Sequence, residues 1–139
     1  MTTNLLINID VPDLDRGVAF YAQAFGLAVT RRLGTEVVEL GGWPVPLYLL
    51  QKPGGSIGAA NALRRYDRHW MPVHFDVVVE DIDAAVARAL AAGARAETDI
   101  RVDSWGKIAV MADPFGHGFC LIQFVGRGYD EIAEGEPRT

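Results

Sequence analysis

Cysteine is almost absent: Cys120 is the single thiol in 139 residues. That excludes an internal disulfide and is compatible with a reducing compartment. Basic charge is also scarce. There are 13 Lys and Arg against 18 Asp and Glu, for a net charge of −5. This balance argues against a general nucleic-acid surface and favours neutral or cationic partners. A long apolar run is missing too. The start, "MTTNLLINIDVPD", has no basic region followed by an apolar stretch. A signal peptide, a membrane span and a membrane partner are therefore not expected, and the cytoplasm is the default location. No Lys-Ser or Lys-Thr follows the glycines of "GGSIG" (54–58), so phosphate cradling is not expected either.

What is present is a chain that is half apolar and long enough for one domain with a real core. It repeats itself. "LINIDVPDLDRGVAF" (6–20) matches "HFDVVVEDIDAAVAR" (74–88), with Val11, Asp13, Leu14 and Asp15 against Val79, Asp81, Ile82 and Asp83. "PLYLLQ" (46–51) matches "GFCLIQ" (118–123) more weakly and pairs Tyr48 with Cys120. Each half opens with a strand whose alternate residues share a face: Leu5, Ile7, Ile9 and Val11, then Phe75, Val77 and Val79. By the same parity Leu6, Asn8 and Asp10, and His74, Asp76 and Val78, face the other way.

Asp13 and Asp81 stand where a helix needs an N-cap, and Gly26 and Gly93 where a left-handed C-terminal cap is wanted. Helical spacing predicts buried Leu14, Val18, Tyr21 or Ala22, and Phe25 in the first helix, and Ile82, Val86 and Leu90 in the second. Three strand-like runs follow each helix. They are "LAVTRRL", "TEVVELG" and "PLYLLQ", then "ARAETDI", "KIAVMAD" and "GFCLIQFV". Before the last strand, Pro114 and Gly116 suit a tight turn. The pattern is βαβββ twice: module one at 4–51, a connecting segment at 52–72, module two at 73–125 and a polar tail at 126–139. The connecting segment has room for a short helix and suits a lid, an arm or a dimer contact.

A doubled chain with "VPDLD" (11–15), "VEDIDAAVAR" (79–88) and "DPFG" (113–116) resembles the vicinal oxygen chelate superfamily, which includes glyoxalase I, bleomycin-resistance proteins and extradiol dioxygenases. The resemblance covers roughly residues 4–125. It implies an α+β fold of two tandem βαβββ modules forming a cupped, glyoxalase-like mixed sheet with helices on the outer face, and it implies a homodimer. Members that use a metal carry four ligands inside the cup, one from the first and one from the last strand of each module. Carried over by motif, those positions are Leu6, Tyr48, His74 and Cys120.

Leu6 has no lone pair, and Tyr48 is a poor ligand unless ionised. His74 and the Cys120 thiolate are legitimate ligands, but two do not make a tight zinc or iron site. Asp76 lies about 7 Å along the strand from His74 at ~3.3 Å per residue. No metal and no cofactor are therefore expected. Cys120 reads as a small buried hydrophobe, with a Cys–His pair as the sharper alternative. His74 reads as a polar wall of a ligand pocket or as a satisfied core histidine. Asn8 and Asp76 occupy equivalent places in the two modules and are both expected to point inward; a buried carboxylate there suggests a wet or ligand-filled cup, and the alternative is a place near the open rim. Trp43, Tyr48, Trp70, Trp105 and Phe115 offer flat surfaces for an apolar or aromatic ligand, or interface anchors. His69 and His117 read as surface residues.

The expected function is metal-independent binding of a small organic molecule, aromatic or apolar and neutral or positive, as in the bleomycin-resistance branch. The candidate binding residues are Asn8, Trp43, Tyr48, Trp70, His74, Asp76, Trp105 and Cys120. The alternative is a metal-free lyase or isomerase with His74 as acid or base and Tyr48 or Asp76 assisting. A metal-dependent glyoxalase or dioxygenase comes third.

Overall fold

A computed structural model describes residues 4–135. Two compact units divide the chain between Asp67 and Arg68. Each is a helix packed on one face of its own sheet.

In the first unit, β1 (Ile7–Val11) leads to α1 (Leu14–Phe25), then to β2 (Ala28–Leu33), β3 (Val37–Gly41) and β4 (Leu47–Gln51). The sheet order is β1-β4-β3-β2, with β1 parallel to β4 and the other pairs antiparallel. In the second unit, β5 (Phe75–Val78) leads to α2 (Ile82–Ala92). Then follow β6 (Arg95–Ala96), β7 (Arg101–Asp103), β8 (Gly106–Ala112) and β9 (Gly118–Phe124). Here β5 runs parallel to β9, and β9 pairs with β8 along its whole length. The run "ARAETDI" does not form one strand. It gives the two-residue β6, and β7 pairs separately with β8.

Both helices start and stop as their caps dictate. The Asp13 side chain accepts from Arg16 N at 3.1 Å and that of Asp81 from Ala84 N at 3.2 Å. Gly26 and Gly93 close the helices at φ of 69° and 113°, where a Cβ is disfavoured. The buried stripes are shifted from the expected ones. In α1 the core side holds Leu14, Gly17, Phe20, Tyr21 and Ala24, while Val18, Ala22 and Phe25 are half-buried flanks. In α2 it holds Ile82 and Ala89, with Val86 half-buried and Leu90 exposed. Small residues set the phase. A Cβ at Gly17 would stand 3.1 Å from Val11 Cγ2, so α1 lies close on β1 and β4 at that point.

The last strand of each unit ties itself to its helix. Gln51 Oε1 accepts from Leu14 N at 2.9 Å, and Gln123 Oε1 accepts from Ile82 N, also at 2.9 Å. Each glutamine satisfies an orphan donor in the helix's first turn. The weak repeat of "PLYLLQ" and "GFCLIQ" thus ends on the same physical device in both units. Gln51→Ala and Gln123→Ala are each expected to cost about 1 kcal/mol of stability, with Glu partly restoring it because it keeps the acceptor. Urea denaturation midpoints measure this. Two alanine variants indistinguishable from the parent would remove the glutamines from the list of caps.

The first part of the connecting segment folds with the first unit as a hairpin arm, not as a helix. Ile57 bridges Leu63 in antiparallel sense, and Gly58 N donates to Ala62 O at 2.7 Å. The single helical turn at Ala59–Asn61 contains Ala60 and Asn61 at φ of 54° and 62°, the left-handed geometry of a tight hairpin turn. The Arg64 guanidinium anchors the arm, meeting Asp10 Oδ2 at 2.7 Å and donating to Ile57 O at 2.6 Å.

Candidate functional site

Strand register decides which side chains share a face. Gln51 and Gln123 reach the helices, so Leu49 and Leu121, two residues earlier, lie on the helix side. Tyr48 and Cys120 then lie on the opposite, open side, as expected. Asn8 stands beside Tyr48 in the parallel pair of the first sheet, and Asp76 beside Cys120 in that of the second.

On the open face of the second sheet three donor groups converge. His74 Nε2 lies 3.4 Å from Asp76 Oδ1. One ligand atom each from His74, Asp76 and Cys120 falls within 4.8 Å of the other two. Asp76 is thus not kept apart from His74 by their two-residue spacing: that spacing fixes the backbone separation, and two same-face side chains can lean together across one residue. Burial pushes the Cys120 thiol up to about 11, and the neighbouring Asp76 carboxylate adds to the shift. That suits the buried-hydrophobe reading and opposes an activated thiolate at neutral pH. His74 Nδ1 is buried and has no hydrogen-bond partner among the described residues. Buried polar atoms are rarely left so, and each case asks for a missing partner. The ring of Trp70 packs on the imidazole with centroids 5.2 Å apart.

The thiol gives a pH prediction. Its folded value lies above the ordinary 9.0, so the folded state holds the proton more tightly than the unfolded chain. The associated stability is present below about pH 9 and is lost as pH rises through about 11. Iodoacetamide at pH 8 is expected to label Cys120 slowly in the folded protein and rapidly in denaturant, read by intact mass. Equal rates would contradict a buried thiol.

On the open face of the first sheet the organising group is Glu39, which the sequence reading missed. It stands opposite Tyr48 in the β3–β4 register. It accepts from Tyr48 Oη at 2.5 Å, Thr30 Oγ1 at 2.8 Å and Arg31 Nε at 3.0 Å. The hydrogen bonds from Tyr48 and then Thr30 hold its carboxyl below the usual carboxylate range. One signal could have found it: Glu39 is the lone charge inside the apolar "VVELG", at the parity facing away from the helix.

The other candidates scatter. Trp43 packs on Phe25 of α1, centroids 5.4 Å apart, at the helix end of its unit and not with Tyr48. Trp105 stacks with Tyr129 and Phe124 at the far end of β9. Phe115 is buried in the turn before β9. His69 is exposed and His117 is half-buried. Asn8 and Asp76 are both exposed on their strands, so Asp76 is not the buried carboxylate expected from the sequence and sits where solvent reaches it.

A match to the glyoxalase-like domain family spans residues 6–122. The chain belongs to that family. Solved structures share its fold at low identity. The genomically encoded fosfomycin resistance protein FosX from Listeria monocytogenes aligns over 90% of this chain and 95% of its own, with TM-score 0.67 and 19% identity. A lactoylglutathione lyase from Agrobacterium tumefaciens aligns over 88% and 94%, with TM-score 0.61 and 22% identity. TioX from a Micromonospora species aligns over 89% and 100%, with TM-score 0.64 and 18% identity. An uncharacterized Mycobacterium bovis protein is 45% identical over 53 residues, 37% of this chain and 35% of that relative's length. The match thus spans about a third of that curated relative. No helix among the described residues is long and apolar enough to cross a membrane.

The resemblance to metal-using glyoxalase-like proteins pointed to four ligand positions, and this chain does not furnish them. Leu6 has no donor atom and is 52% exposed. The Tyr48 hydroxyl is committed to Glu39. Only His74 and Cys120 remain from the four, and the acid that joins them, Asp76, comes from another position of the same sheet.

Proposed function

We propose that this glyoxalase-like domain binds a small organic molecule on the open face of its second sheet, without the four-ligand metal arrangement of the family. The observation that carries the reading is His74 Nδ1, a buried polar atom with no partner among the described residues. A ligand hydroxyl, amide or carbonyl would supply that partner and repay the desolvation. Trp70 beside the imidazole offers a flat wall for an aromatic or apolar body. Asp76 on the same face, and the chain's net charge of −5, favour a neutral or positive ligand. Fold neighbours named for fosfomycin resistance and for lactoylglutathione chemistry agree with a role on small molecules.

A second reading rests on the 3.4 Å approach of His74 Nε2 to Asp76. A carboxylate that orients an imidazole is the usual companion of a histidine acting as general acid or base. One experiment serves both. Chelator-treated, untagged protein is screened by thermal shift against neutral and cationic aromatic compounds, and hits are followed by calorimetry and by product analysis. A ligand at about 100 times its dissociation constant is expected to add about 2.7 kcal/mol of stability. His74→Ala is expected to weaken binding about tenfold or more. Binding unchanged by His74→Ala would sink the first reading. Turnover that survives His74→Ala would sink the second.

A further inference from the structure

We propose that His74, Asp76 and Cys120 form a cation site of their own, built entirely from the second unit and suited to a thiophilic divalent ion such as zinc. Two independent observations support it. The first is convergence. One imidazole nitrogen, one carboxylate oxygen and one sulfur lie within 4.8 Å of one another, although His74 precedes β5, Asp76 sits in β5 and Cys120 sits in β9. The second is that the same imidazole turns Nε2 to 3.4 Å from Asp76 Oδ1 while its other nitrogen, the buried Nδ1, has no partner among the described residues. This shows that the ring's hydrogen-bonding capacity is incomplete among the protein's own described groups.

The donor set selects the metal. Imidazole, thiolate and carboxylate are the three ligand types that zinc accepts, whereas magnesium and calcium prefer oxygen alone. Three protein ligands leave one tetrahedral position for water or an organic donor, the pattern of an open site and not of a closed structural one. The geometry departs from the family pattern, which draws two ligands from each module. Here Asp76 takes the place of the first module's contribution, because Leu6 and Tyr48 have nothing to give. The β5–β9 register makes this possible. Asp76 and Cys120 are direct partners on one face, and neighbouring strands lie about 4.8 Å apart. On binding, the Cys120 S–H bond gives way to a sulfur–metal bond and the proton leaves to buffer, so no other reactant is needed.

The test uses the full untagged chain, chelator-treated and titrated with cobalt(II) as a spectroscopic stand-in for zinc. The expected result is visible d–d absorption of a low-coordinate ion and a near-ultraviolet sulfur-to-cobalt charge-transfer band, saturating at one equivalent and bleached by added zinc. Cys120→Ala should abolish the charge-transfer band. Asp76→Asn should weaken the apparent affinity about tenfold or more, while far-ultraviolet circular dichroism matches the parent. A parent protein with no charge-transfer band at excess cobalt overturns the proposal, as does a band that persists in Cys120→Ala. Full affinity in a folded Asp76→Asn variant overturns the three-ligand site. The ligand screen above is run without metal, so either proposal can fail while the other stands.

Discussion

Asp113→Ala is expected to lower the unfolding free energy by about 3 kcal/mol, the larger share of it from donors left without a partner. Asp113 is the one charged side chain that is fully buried among the described residues, at 0% exposure. Its Oδ1 accepts from Phe115 N at 2.8 Å and from His117 N at 2.9 Å. Its own backbone N–H donates to His117 O at 2.8 Å, and its carbonyl accepts from Gly116 N at 3.4 Å. The turn from β8 to β9 is wound around this carboxylate. Alanine keeps the backbone bonds but strands the buried N–H of Phe115 and the partly buried N–H of His117, at ~1–3 kcal/mol for a buried donor and less for the other. Asp113→Asn keeps an acceptor and should lose clearly less. Guanidinium unfolding of the three proteins decides it. A loss under about 1 kcal/mol for alanine would mean that water or a shifted turn satisfies those amides.

Phe20→Ala is expected to cost about 3–5 kcal/mol, the range for emptying a buried aromatic site. Phe20 is 2% exposed on α1. Its ring meets Tyr21 edge-on at 5.0 Å and 86°, and Phe25 edge-on at 5.8 Å and 88°. Deleting it removes buried apolar area and two edge-to-face contacts, and the cavity can collapse only by moving α1. Gly17 already holds that helix close to Val11 and Leu49 and leaves it little travel. Phe20→Leu should lose less than half as much, since most of the volume is kept. The check is chemical denaturation, with the slope as a control. An unchanged midpoint for Phe20→Ala would mean that α1 repacks freely.

Much of the fold is legible in the sequence, and for a local reason. A cap needs only a residue type and a backbone angle, so Asp13, Asp81, Gly26 and Gly93 could be read without knowing what lies across the sheet. The Pro114–Gly116 turn is local as well; Gly116 adopts φ 88°. The helix stripes were read less well. The spacing rule favours large apolar residues, and it passed over Gly17 and Ala89, which are buried because they are small. The arm at 52–66 was open to a helical reading because its hydrogen bonds join residues across a turn and leave no periodic pattern.

The candidate site divides along the same line. Strand parity in the sequence determined that Asn8, His74 and Asp76 face away from the helices, since alternation is a property of a single strand, whereas Tyr48 and Cys120, on strands apolar on both faces, were placed there by the family resemblance. Only the tertiary structure decided which of them meet. Glu39 reaches Tyr48, and Asp76 reaches Cys120, through cross-strand register, which brings together residues far apart in the chain. The His74–Asp76 approach depends on side-chain rotamers, which backbone spacing does not specify. Trp43 and Trp105 were plausible pocket walls by residue type, but each is committed to aromatic neighbours elsewhere in its unit. Residue identity and strand phase thus named part of the polar inventory of the open faces, without Glu39. Pairing across strands turned part of that inventory into a compact His–Asp–Cys cluster and set Glu39 under Tyr48.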